Sequence, residues 1–246
     1  MIIRAVRSPG SAWFPKCSRV FSRRKAPNRT SYPTNLSCAD SHPRMTLYYV
    51  HDPMCSWCWA FRPTWAEIVR ALPPAIPTKR VLGGLAPDSD DPMPEATRVY
   101  VQENWRKIQQ VVPETAFNFD FWTQCQPRRS TYPACRAVIA AMKQDARYEE
   151  AMILAIQQAY YLKARNPSDD DTLTALAAEI GLNQGRFTQD LNHPATHEAL
   201  LHQIAFSQRL GASAFPSLIL EHNRSYEKIE FDYNNASVVL DVLDKA

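Results

Sequence analysis

Cys55-Ser56-Trp57-Cys58 brings two sulfur nucleophiles to a spacing suited to reversible bond formation within a chain of 246 residues. Where such a segment opens a helix, the unsatisfied backbone N–H groups and the positive dipole end favour an anion, so Cys55 is the expected thiolate nucleophile. Cys58 would then lie one turn deeper, near enough to attack a mixed disulfide at Cys55 and shielded from competing substrate. The chemistry implied is thiol–disulfide exchange, in which Cys55 attacks and Cys58 resolves. His51, four residues before Cys55, is a candidate stabiliser of that thiolate if its ring faces the turn; the alternative is an exposed loop histidine.

A zinc site is the competing chemistry for a cysteine pair, and it needs two further ligands. His193 and His197 have a helical spacing, with Cys125 and Cys135 as substitutes, but no second CxxC ties them to residue 55. No metal or organic cofactor is therefore expected. The chain holds 6 cysteines, too few for a disulfide-built scaffold of this length. A second disulfide between Cys125 and Cys135 is conceivable, and free thiols are the default for both.

The elements that must position the pair follow from patterning. Thr46 to Val50 reads as a buried strand broken at His51, Asp52 and Pro53. Trp57, Phe61, Trp65, Ile68, Val69 and Leu72 recur at helical spacing until Pro73-Pro74, and Thr78 to Leu82 reads as a second strand. Helices are then expected over Met93–Val112, Ala134–Gln144, Glu149–Leu162, a segment opened by a Ser168/Asp171 capping box and ending before Gly181, Gln184–Leu191 and Thr196–Leu210. Strands at Ser217–Leu220 and Tyr226–Phe231 and a helix from Ala236 complete the order. Strand, helix, strand, helical block, hairpin, helix describes an α/β sheet domain interrupted by an all-helical insertion.

Composition removes other classes. No run approaches the roughly 18 apolar residues of a membrane span, and mean hydropathy is −0.38, so no membrane role is expected. The formal charge of +3 averages two unlike parts: residues 1–44 carry nine Lys/Arg and one acid, leaving 19 basic and 24 acidic residues beyond. With no cationic cluster after residue 45, a nucleic-acid surface is not expected there. The basic, proline-rich head, residues 1–44, is expected to be disordered, and it lacks the apolar stretch of a secretory signal. It reads as a start assigned too early, with Met45 the working start, as a transit-like segment, or as a solvated tail. A reducing, cytoplasmic setting is the expectation, with organelle targeting the alternative.

The strand Tyr48-Tyr49-Val50, the CSWC at the next helix start, Pro63 five residues past the second cysteine and Phe215-Pro216-Ser217 opening a late strand together resemble the thioredoxin superfamily. More specifically, the chain resembles DsbA-like proteins with a helical insertion. The resemblance implies a thioredoxin-like domain split into residues 45–90 and 205–246, with a helical insertion over 91–204. It also implies a cis bond before Pro216, with the Phe215 backbone open to an extended substrate. Trp57, Phe215 and Pro216 are the implied substrate-binding residues, and protein or small-molecule thiols and disulfides, glutathione among them, the implied partners.

Two departures bear on this. Ser-Trp stands between the cysteines where the exported oxidant has Pro-His, which leaves the direction of exchange open. Phe215 is bulkier than the residue common before this proline, which alters the substrate groove. Two alternatives are a glutathione-dependent transferase or isomerase of the kappa or hydroxychromene-carboxylate type, and a chaperone-like binding module that is no enzyme. Kappa-type relatives use a serine near where Cys55 stands, so the intact pair favours redox exchange.

Overall fold

The computed structural model describes residues 45–245. Cys17, Cys38 and the expected disorder of the basic head lie outside the described residues. Strand β1 (Met45–His51) leads to helix α1 (Ser56–Ala71) and strand β2 (Thr78–Leu82). Helices α2 (Glu95–Val111), α3 (Phe121–Gln124), α4 (Tyr132–Gln144), α5 (Tyr148–Tyr161), α6 (Asp170–Glu179), α7 (Gln184–Leu191) and α8 (Pro194–Arg209) follow. Strands β3 (Ser217–His222) and β4 (Ser225–Ile229) and helix α9 (Ser237–Leu243) close the chain.

The sheet has the order β2-β1-β3-β4. β2 runs parallel to β1, whereas β3 runs antiparallel to β1 and pairs Met45 with His222 and Val50 with Ser217. Side chains alternate along β1, so Leu47 and Tyr49 point one way and Tyr48 and Val50 the other. All four are buried because each face of the sheet is covered. Leu47 and Tyr49 meet Phe61, Trp65 and Ile68 of α1 and Val239 and Leu243 of α9. Tyr48 and Val50 meet Ile219, Leu210 and Phe206.

Between β2 and β3 the helices gather around α4, whose residues Pro133 to Ala141 are all buried. Ala134, Ala137, Ala140 and Ala141 leave room for α5, α7 and α8 to pack closely, and Leu82 at the end of β2 joins the same cluster. A second, aromatic cluster holds Trp105, Phe121, Trp122, Tyr160 and Tyr161, with Trp59 of α1 packed against it. Both clusters therefore touch elements that flank the CxxC.

The expected elements stand within about two residues of their read bounds, with particular exceptions. Ser168 does not cap α6: Asp169 takes the N-cap position, and the Ser168 hydroxyl donates instead to the Ser130 carbonyl at 2.6 Å. The four-residue α3 carries no periodic signal and is not expected from the sequence. α8 begins at Pro194 rather than Thr196, with His193 as N-cap, which puts a proline where its missing N–H has no cost. β4 ends at Ile229, and Phe231 leaves the ladder to pack against Phe61, ring centres 4.6 Å apart. Asn223 and Arg224, at φ 51 and 65, form the tight turn between β3 and β4.

Candidate active site

Cys55 is the N-cap of α1, in extended backbone at φ −80 and ψ 116. Its own N–H donates to the Asp52 carbonyl at 3.0 Å, which folds the strand end into the turn. Its sulfur accepts the Cys58 backbone N–H at 3.4 Å, one of the orphan donors of the helix start. The Cys55 thiol also donates to the Phe215 carbonyl at 3.4 Å, across 160 residues of sequence. The peptide bond between Phe215 and Pro216 is cis. The two sulfurs thus share one turn, and the loop before β3 closes over the first of them.

Cys58 is fully buried whereas Cys55 keeps 5 % exposure. Burial pushes the Cys58 thiol well up, and the adjacent Cys55 sulfur adds to that, so Cys58 is held as a thiol. Tyr49 stands beside it, its phenol likewise pushed well up by burial and by the two cysteines. A buried thiol behind a less buried one suits a pair in which only the outer sulfur meets a substrate.

His51 is neither an exposed loop residue nor a source of positive charge. It closes β1 at 2 % exposure, its ring stacked on Tyr49 with centres 5.1 Å apart. Burial first, and the Arg80 charge second, lower its pKa to about 3, so the ring is neutral at pH 7. The donor at the Cys55 sulfur is the Cys58 N–H at the start of α1, not the His51 ring.

Trp57 is half-buried, its ring tilted against Tyr233 with centres 5.0 Å apart. Phe215 is half-buried too, but its ring lies over Gly83: a Cβ on that glycine would stand 2.0 Å from the ring. The bulk of Phe215 is thus absorbed by a residue with no side chain, and Pro216 is buried behind it.

Asp52, read from the sequence only as a strand breaker, is the residue that reading missed. It is completely buried three positions before Cys55. Oδ1 accepts the Met54 N–H at 2.8 Å, and Oδ2 accepts the Leu85 N–H at 2.8 Å and the Thr131 hydroxyl at 2.7 Å. The Cys135 thiol donates to the same Oδ2 at 3.5 Å. Burial raises the carboxyl above its usual range, and these hydrogen bonds counter that rise. An Asp that bonds the N–H two residues on is a local turn signal visible in sequence; its bonds to α4 are not.

The remaining candidates stand apart. Cys135 is buried and donates to Asp52, whereas Cys125 donates to the Ala164 carbonyl at 3.0 Å, and the two are free thiols in different clusters. His193 accepts the Ala195 N–H at 3.2 Å in capping α8, and His197 lies 4.0 Å from Asp88. Among the described residues no group of three or more His, Cys, Asp or Glu is arranged to hold a metal. No helix among them is long and apolar enough to cross a membrane. Behind Cys58 a cavity of about 20 Å3 is bordered by His51, Arg62 and Gln157.

A four-stranded sheet with a cysteine pair at the first helix start and a cis-proline loop facing it defines a thioredoxin-type protein. The thioredoxin family model matches residues 48–238, and the chain belongs to that family. Within it the similarity is to DsbA-like proteins. A provisionally assigned protein disulfide isomerase from Nitrosomonas europaea superposes with a TM-score of 0.71 at 25% identity, covering 82% of this chain and 97% of that one. The cytosolic disulfide reductase DsbM from Pseudomonas aeruginosa does so at 0.67 and 25% identity, covering 81% and 98%. The ClpXP adapter protein SpxH of Bacillus subtilis is 23% identical over 72% of this chain. The match spans 59% of that relative's own length.

Proposed function

We propose that this protein is a thiol–disulfide oxidoreductase that exchanges a Cys55–Cys58 dithiol or disulfide with protein or small-molecule disulfides. The observation that carries the reading is the Cys55 sulfur at the start of α1, held by the Cys58 N–H and the Phe215 carbonyl, each at 3.4 Å. The Cys55 thiolate attacks one sulfur of a substrate disulfide; that S–S bond breaks, and the departing thiolate takes up a proton. Cys58 then loses its proton and attacks the Cys55 sulfur, which releases the second substrate thiol and leaves a Cys55–Cys58 disulfide. Two electrons pass to the substrate. A low-molecular-weight thiol such as glutathione returns them, becoming a disulfide itself.

Trp57, with Phe215 and Pro216, forms the substrate side in this reading: an apolar wall beside the nucleophile and a backbone edge for an extended chain. Residues 91–204, which hold α2–α7 and the first part of α8, act as an insertion between residues 45–90 and 205–246. Glutathione as partner and a cytoplasmic setting draw support from the relative named a cytosolic disulfide reductase, also solved with GSH. The adapter name of the SpxH relatives describes those proteins; here a resolving thiol buried behind the nucleophile favours turnover over binding alone.

Reduction of insulin by glutathione in the presence of the protein tests the reading. Cys55→Ser is expected to abolish the reaction, and Cys58→Ser to stall as a mixed disulfide visible by mass spectrometry. Turnover that survives Cys55→Ser overturns the assignment. Conjugation of glutathione to an electrophile, without disulfide exchange, would place the protein among the glutathione transferases instead.

A further inference from the structure

The carboxylate of Asp52 is buried against the redox turn and is matched by donors alone. The backbone N–H groups of Met54 and Leu85 can only donate. The Thr131 hydroxyl accepts the Ala86 N–H at 3.1 Å and sends its own proton to Asp52 at 2.7 Å, a shorter path than the 3.4 Å to the Ala86 carbonyl. Cys135 is the fourth donor. A protonated carboxyl would need an acceptor for its hydrogen, and each of these partners presents one of its own, so the shell is built for the anion.

The cations nearby are committed elsewhere. Arg136 is bidentate through one nitrogen to Asp88, at 2.8 and 2.8 Å, and reaches Asn192 at 3.2 Å with another. Arg80 pairs with Glu149 and Glu150, and Arg62 with Glu150. The other titratable groups turned towards the pair are Tyr49, Tyr161, Tyr233 and His51. The phenols are pushed up and the imidazole down, so all four are neutral at pH 7.

Resting on the function proposed above, we infer that Asp52 is a positioning residue that fixes an unneutralised negative charge against the Cys55–Cys58 turn and biases the pair towards disulfide, so that the protein gives electrons to its substrates rather than taking them. A pair becomes a strong oxidant when its reduced form is stabilised, chiefly as thiolate; an adjacent buried anion works the other way. The assignment also gives Cys135 a role. Burial and the Asp52 charge hold its thiol protonated, so it serves as an S–H donor to the carboxylate and not as a third redox sulfur.

The test is equilibration of the full chain with glutathione buffers of graded ratio, reading the fraction of Cys55–Cys58 disulfide by thiol alkylation and mass spectrometry. The reaction followed is disulfide plus two glutathione thiols giving dithiol plus glutathione disulfide. Asp52→Asn is expected to raise this equilibrium constant at least tenfold, about 30 mV towards oxidising. Cys135→Ala shifts it the same way by a smaller factor, and Cys135→Ser, which keeps a donor, restores the wild-type curve. An Asp52→Asn protein with wild-type circular dichroism and an unmoved curve overturns the inference. Should Asp52→Asn fail to fold, coincident curves for Cys135→Ala and Cys135→Ser overturn it equally. A wild-type chain that forms no Cys55–Cys58 disulfide at any ratio would instead defeat the oxidoreductase reading itself.

Discussion

Around β1 and α1 the core is made of large side chains: Leu47, Tyr49, Phe61, Trp65 and Ile68 interlock between sheet and helices. Around α4 large side chains alternate with many small ones, Ala134, Ala137, Ala140, Ala141, Ala159 and Ala177 all being buried. The first region spends its volume on holding a turn in place, and that turn carries Cys55 and Cys58. The second brings helices close enough for Thr131 and Cys135 to reach into the turn of the first. One region thus carries the cysteine pair and the other sends two donors to the Asp52 carboxylate beside it.

If that contrast is right, the sheet region fails on truncation and the helical region on enlargement. Phe61→Ala removes a fully buried ring and is expected to cost about 3–5 kcal/mol, read from urea unfolding midpoints. Ala137→Leu adds volume at a fully buried position and is expected to cost about 1–3 kcal/mol. Ala137→Gly, which removes a single methyl, should be the milder of the two, and a reversed order would break the contrast.

His51 sharpens it from the sheet side. Its pKa falls from 6.5 to about 3 on folding, so the unfolded chain binds the proton more readily between those values. The contribution is complete above pH 6.5 and is lost as pH falls, by about 2 kcal/mol at pH 5. Asp52 and Glu149, both raised by burial, titrate with the opposite sign, so the comparison is between wild type and His51→Gln. The variant is expected to lose less stability between pH 7.5 and pH 5. Last in size is Arg165→Ala, which breaks a partly exposed 2.7 Å ion pair with Glu179; a change under about 1 kcal/mol is expected in the same unfolding assay.

Much of this architecture is written in local pattern. The β-branched and aromatic run before His51, the 3.6-residue recurrence in α1 and the glycine after α8 each act over a few residues and yield strands and helices close to those observed. The cysteine pair and Pro216 are legible for the same reason, since spacing and position carry them. Asp52 is not, because two of its donors sit at the start of α4 and only the folded chain brings Thr131 and Cys135 to residue 52. His51 misleads in the same way: sequence places it in a turn, while packing between Tyr49 and the Arg80 side of the sheet decides its charge. Ser168 shows the converse, a local capping signal overridden by a tertiary bond to Ser130.

The pairing of β1 with β3 has a consequence for how the chain is made. A ribosome delivers Met45–His51 and then Ser217–His222 only after all eight intervening helices, so the β3 side of β1 stays unpaired through that stretch of translation. Loop closure over that distance is costly, whereas the contacts among α4, α5, α7 and α8 are nearer in sequence and become available earlier. The nascent chain therefore carries an open strand edge with two cysteines beside it until Ser217–His222 emerges.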